Sequence, residues 1–224
     1  MDQILYWNAV ALESDRMAHT DTGSSRALAV VHLAMHDAIF SIFGAPHGTW
    51  LTAPPVAAPG AAPDAAIAVA AHTILSALYP ERIARFDKAL REAGLHGRGT
   101  SRGGHQGQAV ARAILNARAD DPEPGSDISH DGSSAAPTRF CNLMTREIAI
   151  VQGNDVEQNA RLFALVNAVL AGTAVRCGDD AAFVGTTFRT IVGYYAAADG
   201  PETLTDDLWV AGLRQDQAAG PRVH

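Results

Sequence analysis

Two histidines, His32 and His36, stand four residues apart, with Asp37 beside the second. On a helix that spacing puts both imidazoles on one face, as two ligands of a metal ion require. The sequence offers no evident third ligand. His32 also shares its face with Leu28 and Met35. A hydrogen-bonded core histidine is therefore the preferred reading, and His32 and His36 remain only outside candidates for a metal site. A second group is Asp179, Asp180 and Arg189. On the wall of a cavity, Asp179 could serve as acid or base beside the Arg189 guanidinium, which makes these two the candidate catalytic residues. The plainer alternative, preferred on sequence alone, is a surface ion pair with Asp179 capping the next helix. Phe183, Phe188, Tyr194 and Tyr195 are candidates to line an apolar pocket, although aromatic residues at such spacing also build cores. Gly97-Arg-Gly-Thr-Ser-Arg-Gly-Gly104 precedes a helix, and a helix N-terminus attracts phosphate. It lacks the Lys-Ser/Thr ending and preceding strand of a phosphate loop, so a flexible connection is expected. The two cysteines, Cys141 and Cys177, exclude a disulfide framework or a four-cysteine zinc site.

These residues must be positioned by helices. Asp2 can cap a first helix reaching about Met17. A second runs from Ser25 to Phe43, with Leu28, Val31, Met35, Ile39 and Ile42 at spacings of three and four. Prolines at 46, 54, 55, 59 and 63 hold the next stretch as loop. Further helices are expected from Asp64 to Leu78, Pro80 to Ala93 and Gln106 to Ala119. Residues 120–138, rich in Pro, Gly, Ser and Asp, read as a long loop. A short element at 142–151, a long helix from Asp155 to Val175, a poorly patterned one from 179 to 195 and a last one at 203–213 complete the chain. No period-two strand pattern competes. The expectation is an all-α bundle of about eight helices in one domain, residues 1–224, with a possible subdivision at the 120–138 loop.

Composition bounds the partners. Hydrophobic residues are 47% and charged residues 18% of the 224, a globular balance. Lys+Arg number 17 against Asp+Glu 24, a net charge of −7. Nucleic acid and acidic membranes favour a basic surface, so neither is an expected partner. The N-terminus lacks the basic start of a signal peptide. The apolar run from Leu162 to Val175 falls short of the roughly 20 residues a bilayer crossing needs. A cytoplasmic location is expected.

Several segments resemble a known family. Leu5-Tyr-Trp-Asn8, Ser25-Arg-Ala-Leu-Ala-Val-Val-His-Leu-Ala-Met-His-Asp-Ala38, the stretch Gly107 to Asp121, and Glu157 to Asn167 continuing to Cys177 and Asp179 are similar to bacterial vanadium-dependent haloperoxidases. Those belong to the type 2 phosphatidic acid phosphatase superfamily. The family holds its oxyanion with a Lys and an Arg on one stretch, a Pro-Ser-Gly-His motif, and a later Arg and His. Here the stretch after Cys177 carries Ala181 or Ala182 where the Lys belongs. Arg189 aligns with the family's Arg only across a one-residue gap, and Thr190 replaces the Pro after it. No Pro-Ser-Gly-His occurs, and the sequence closes at His224, before the family's further helical segment. The resemblance therefore implies a degenerate, C-terminally truncated relative that kept the helical scaffold and lost the vanadate or phosphate site.

Three functions follow as expectations. The first is a cofactor-independent enzyme that closes or isomerises a ring in a small, largely apolar specialised metabolite, held in a helical pocket. The second is a non-catalytic protein: a ligand binder or the partner subunit of a longer relative. The third is an active haloperoxidase or phosphatase using Arg98, Arg102 and His105. Vanadate is not an expected cofactor under the first two, and a homodimer is expected because the missing segment leaves helix faces bare.

Overall fold

A computed structural model describes residues 1–17, 24–44, 48–118, 135–176 and 180–196. Among them are eight α-helices and no strand, which makes the protein an all-α bundle. They are α1 (Gln3–Met17), α2 (Ser24–Phe43), α3 (Pro63–Leu78), α4 (Ile83–Glu92), α5 (Thr100–Ala117), α6 (Ala135–Gln152), α7 (Val156–Arg176) and α8 (Asp180–Ala196). A single 3₁₀ turn, Pro80–Arg82, leads into α4. The expected helix at 203–213 and the subdividing loop between 119 and 134 lie outside the described residues.

α2 is the centre of the bundle. It packs on α3, α7 and α5 and touches α1 and α6. From Leu28 to Phe40 every side chain is buried. A helix enclosed on all sides must be apolar all round, which explains why α2 alone among the described helices is long and apolar enough to cross a membrane. Its burial makes it a core helix by position.

Local chemistry sets most helix ends. The Asp2 carboxylate accepts the Leu5 amide at 3.0 Å and the Asn159 side-chain amide at 2.8 Å, so one cap ties α1 to α7. Asp155 and Gln158 form a reciprocal capping box at the start of α7. Asp64 does not cap α3 as expected: Ala62 holds that position with no side-chain bond, Pro63 opens the helix, and Asp64 lies in the first turn, where its charge favours the helix dipole. Three arginines hold α1 through its carbonyls. Arg82 donates to Ser14 O, Arg139 to Leu12 O and Arg146 to Leu5 O, at 2.8, 3.0 and 2.6 Å.

Two helices begin earlier than the sequence suggests. α5 starts at Thr100 rather than Gln106, so most of the expected flexible glycine segment is its opening turn. Glycine lowers helix propensity, yet here packing decides. Gly99, Gly103 and Gly107 recur every four residues and face Ala62, Ala66 and Ala70 of the α3 segment. A Cβ at Gly103 or Gly107 would stand 2.1 Å from the Ala62 or Ala66 carbonyl oxygen, so only glycine permits this crossing. α6 starts at Ala135 rather than Asn142, with Pro137 in its first turn, where a missing N–H costs nothing. Residues 135–138 are thus helix and not loop.

Candidate functional site

The most unusual chemistry inside the bundle is a seam of polar side chains where α1, α2, α6 and α7 meet. Asn8, His32, Asn142 and Asn167 are all buried. The Asn8 amide nitrogen lies 3.0 Å from His32 Nε2 and donates to Asn142 Oδ1 at 3.0 Å. Asn142 and Asn167 exchange amide bonds at 2.9 and 3.0 Å. Their spare N–H groups reach back one turn, to Thr138 O and Phe163 O. Because Asn8 spends both amide protons, His32 Nε2 accepts, and the imidazole proton sits on Nδ1. The ring stacks on Phe163, with centroids 5.2 Å apart. Burial pulls its pKa down to about 3, because a charged imidazole here would lose its hydration. His32 is thus a neutral core histidine. His32 Nδ1 and Asn8 Oδ1 have no hydrogen-bond partner.

His36 does not join His32 in one site. Its Nδ1 lies 3.0 Å from Asp37 Oδ1, and its ring tilts over Phe40 at 4.6 Å. Asp37 is itself buried, and its two oxygens accept the Trp50 and Leu51 amides at 2.9 and 2.8 Å. It therefore fastens the loop after α2. Among the described residues no three His, Cys, Asp or Glu side chains gather as a metal ligand set.

α8 carries the other sequence candidates and separates them. Asp179 lies outside the described residues, as do the surroundings of the Asp180 and Phe183 side chains. Arg189 is exposed and donates to Thr186 Oγ1 on its own helix at 3.2 Å. Tyr194 and Tyr195 meet edge to face at 5.1 Å. Their hydroxyls donate to Gln158 O and Asn154 Oδ1 at 2.9 and 3.0 Å, which fixes the end of α8 to the start of α7. Burial pushes the Tyr194 phenol up to about 12, while the Arg161 charge pulls the other way. Phe188 points elsewhere: it is 56% exposed, while its chain neighbour Thr187 and Ile191 are buried.

That exposed side is the feature sequence reasoning missed. On α6, Phe140, Leu143, Ile150 and Val151 fall within one arc and are all exposed. On α8, Phe188 and Val192 do the same. The Cys141 thiol and the Thr187 side chain, both buried, neighbour each other where the two helices meet, and burial pushes the thiol's pKa up while Thr187 pulls the other way. α6 and α8 run parallel, since Tyr195 near the end of α8 reaches Asn154 just past the end of α6. In a parallel pair, Phe140, one residue before Cys141, and Phe188, one residue after Thr187, fall on the same side. Phe140 and Val151 of α6 and Phe188 and Val192 of α8 thus form one apolar face shared by two helices.

Fold and seam together define an all-helical scaffold organised around one enclosed helix. Residues 1–93, which carry α1 to α4, match the family described as the vanadium chloroperoxidase N-terminal domain, and through this segment the chain is related to the vanadium haloperoxidases. The vanadium chloroperoxidase of Curvularia inaequalis is 41% identical over 92 residues, covering 34% of this chain and 15% of that relative. The match thus spans a small part of the relative's length. No solved structure matches the chain significantly.

Vanadate is an oxyanion and needs several cations and N–H donors converging on one point. Six of the described arginines are committed elsewhere. Arg82, Arg139 and Arg146 hold α1 carbonyls, Arg85 pairs with Glu13, Arg102 reaches Gly60 O, and Arg189 turns to its own helix. His32 is sealed and neutral.

Proposed function

We propose that the chain is a non-catalytic helical scaffold of the haloperoxidase type, and that its working surface is the α6–α8 face, which holds an amphipathic helix. The observation that carries this reading is the shared row of exposed Phe140, Val151, Phe188 and Val192. Such a row has the shape of a helix-in-groove site, where apolar anchors recur every three or four residues. Fully burying a Phe, Leu or Val side chain is worth about 1.5–3 kcal/mol. Four side chains with about half or more of their surface exposed leave several kcal/mol for an occupant to gain. The polar seam supports the reading from behind: it sets α6 on α1 and α7 through Asn142, so the face is presented by a fixed element.

The test is photocrosslinking in the purified full chain. Benzoylphenylalanine replaces Phe188 in one sample and Val56, 95% exposed and away from the face, in another. Each is irradiated alone and with a synthetic amphipathic helical peptide in excess. The expected result is a product at position 188 that joins a helical segment, from this chain or from the peptide, with none at position 56. Equal yields at the two positions would refute the reading. A product joining two folded copies face to face would replace it with a dimer interface.

A further inference from the structure

We propose that the α6–α8 face takes a helix of mixed charge, basic along the flank that meets α6 and acidic along the flank that meets α8, and that Glu147 and Arg189 are the residues that select it. The inference rests on the reading of that face as a helix-docking surface, and it names the chemistry of the partner.

Each apolar row carries one charge, and the two charges lie on opposite rims. On α6, Phe140, Glu147 and Val151 stand at i, i+7 and i+11, which puts them within about 40° of arc. Glu147 is exposed. It falls on the side of Phe140 away from Cys141, and hence away from α8. On α8, exposed Arg189 lies about 60° beyond Val192, on the side away from Thr187 and hence from α6. The acid therefore edges the α6 side of the face and the base edges the α8 side. Cys141 and Thr187 neighbour each other and set the two helices level. Glu147 lies six residues past the first and Arg189 two past the second, so the charges differ in height by about 6 Å, one helical turn.

Among the described residues neither charge joins a salt bridge. Arg189 donates to the neutral Thr186 hydroxyl of its own helix at 3.2 Å, which leaves its charge uncompensated. A helix seated between the apolar rows turns one flank to each rim, as the e and g positions of a coiled coil do. An opposite charge there adds attraction at that rim, and a like charge set against Glu147 or Arg189 repels. A helix basic on both flanks, or acidic on both, therefore meets repulsion at one rim. The apolar row supplies the affinity, and the rims choose among helices that share that row.

Four synthetic helical peptides with one shared apolar row test this. Their flanks are Lys and Glu, Lys and Lys, Glu and Glu, or Gln and Gln. Each is labelled and titrated with the full chain by fluorescence anisotropy. At low salt the mixed peptide should bind about threefold more tightly than either like-charged one. The difference should shrink in about 0.5 M salt, where exposed charges are screened. Glu147→Lys makes both rims basic and should move the preference to the peptide acidic on both flanks. Arg189→Glu should move it to the peptide basic on both. Both positions are exposed, so neither substitution disturbs the core. A wild type that binds the mixed and like-charged peptides equally at low salt overturns the inference, and so does a preference that neither substitution moves. If all four peptides bind alike, the docking face stands and its charge selection falls. If none binds, both readings fall.

Discussion

Replacing Gly107 by alanine adds one methyl group at the tightest point of the α3–α5 crossing. The new Cβ would stand 2.1 Å from Ala66 O and 2.9 Å from Ala66 C and Ala70 N. These are backbone atoms of a buried helix and cannot swing aside as a side-chain tip does. Ordinary contact at about 3.5 Å requires the helices to part by more than 1 Å. Overpacking of this kind costs about 3 kcal/mol, offset by about 1 kcal/mol because alanine is the better helix former. The net loss is about 2 kcal/mol, a fall in Tm of about 4–8 °C for a domain of this size. Gly104→Ala is the internal control. It lies on the same helix, and its Cβ would meet only Val69 Cγ2 at 3.4 Å. It should gain up to about 1 kcal/mol and raise Tm by about 2–4 °C. Thermal melts followed by helical circular dichroism read both. If Gly107→Ala melts at or above the wild type, or Gly104→Ala falls as far, the crossing is not held by backbone contact and the reasoning fails.

The polar seam makes two further predictions. His32 has its folded pKa lowered to about 3 from an ordinary value of 6.5. The unfolded chain therefore binds more protons between those limits, and stability falls as pH drops through that window. Relative to His32→Gln, the wild type should lose about 3 kcal/mol between pH 7 and pH 4, measured by urea unfolding; parallel pH profiles would contradict it. Asn142→Leu removes the bonds to both Asn8 and Asn167. Each buried amide left without a partner costs about 1–3 kcal/mol, so a loss of about 3 kcal/mol is expected in the same assay, and a change below about 0.5 kcal/mol would show that the seam is not a structural tie.

The sequence makes α2 and α7 legible because their apolar spacings and opening residues agree. Leu28, Val31, Met35 and Ile39 mark the enclosed face of α2, and Asp155 marks the start of α7. The early starts of α5 and α6 are hidden for a physical reason. Gly103, Gly107 and Pro137 carry poor helix propensities, and their value lies in contacts with distant chain or in a first-turn position that needs no N–H. His32 shares its helix face with Leu28 and Met35, and the structure buries it there. Its partners could not be read, since Asn142 lies far along the chain, although the family-like segments do close on Asn8 and Asn167. The α6–α8 face is hidden more deeply. Periodicity says that Phe140, Leu143 and Ile150 share a side, but it does not say whether anything covers that side. The pocket drawn from Phe183, Phe188, Tyr194 and Tyr195 divides for the same reason: Tyr194 turns inward and Phe188 outward.

The central claim is that the α6–α8 face is a helix-docking surface. Binding of a synthetic amphipathic helical peptide to Phe188→Asp in the full chain tests it most directly, against Val56→Asp as the reference at a position 95% exposed. Losing the burial of a docked Phe188 and setting a carboxylate against apolar side chains should cost about 2 kcal/mol or more, a fall in affinity of about thirtyfold. That loss, with Val56→Asp binding as the wild type does, is the predicted result. Two variants that bind the peptide equally well would contradict the account.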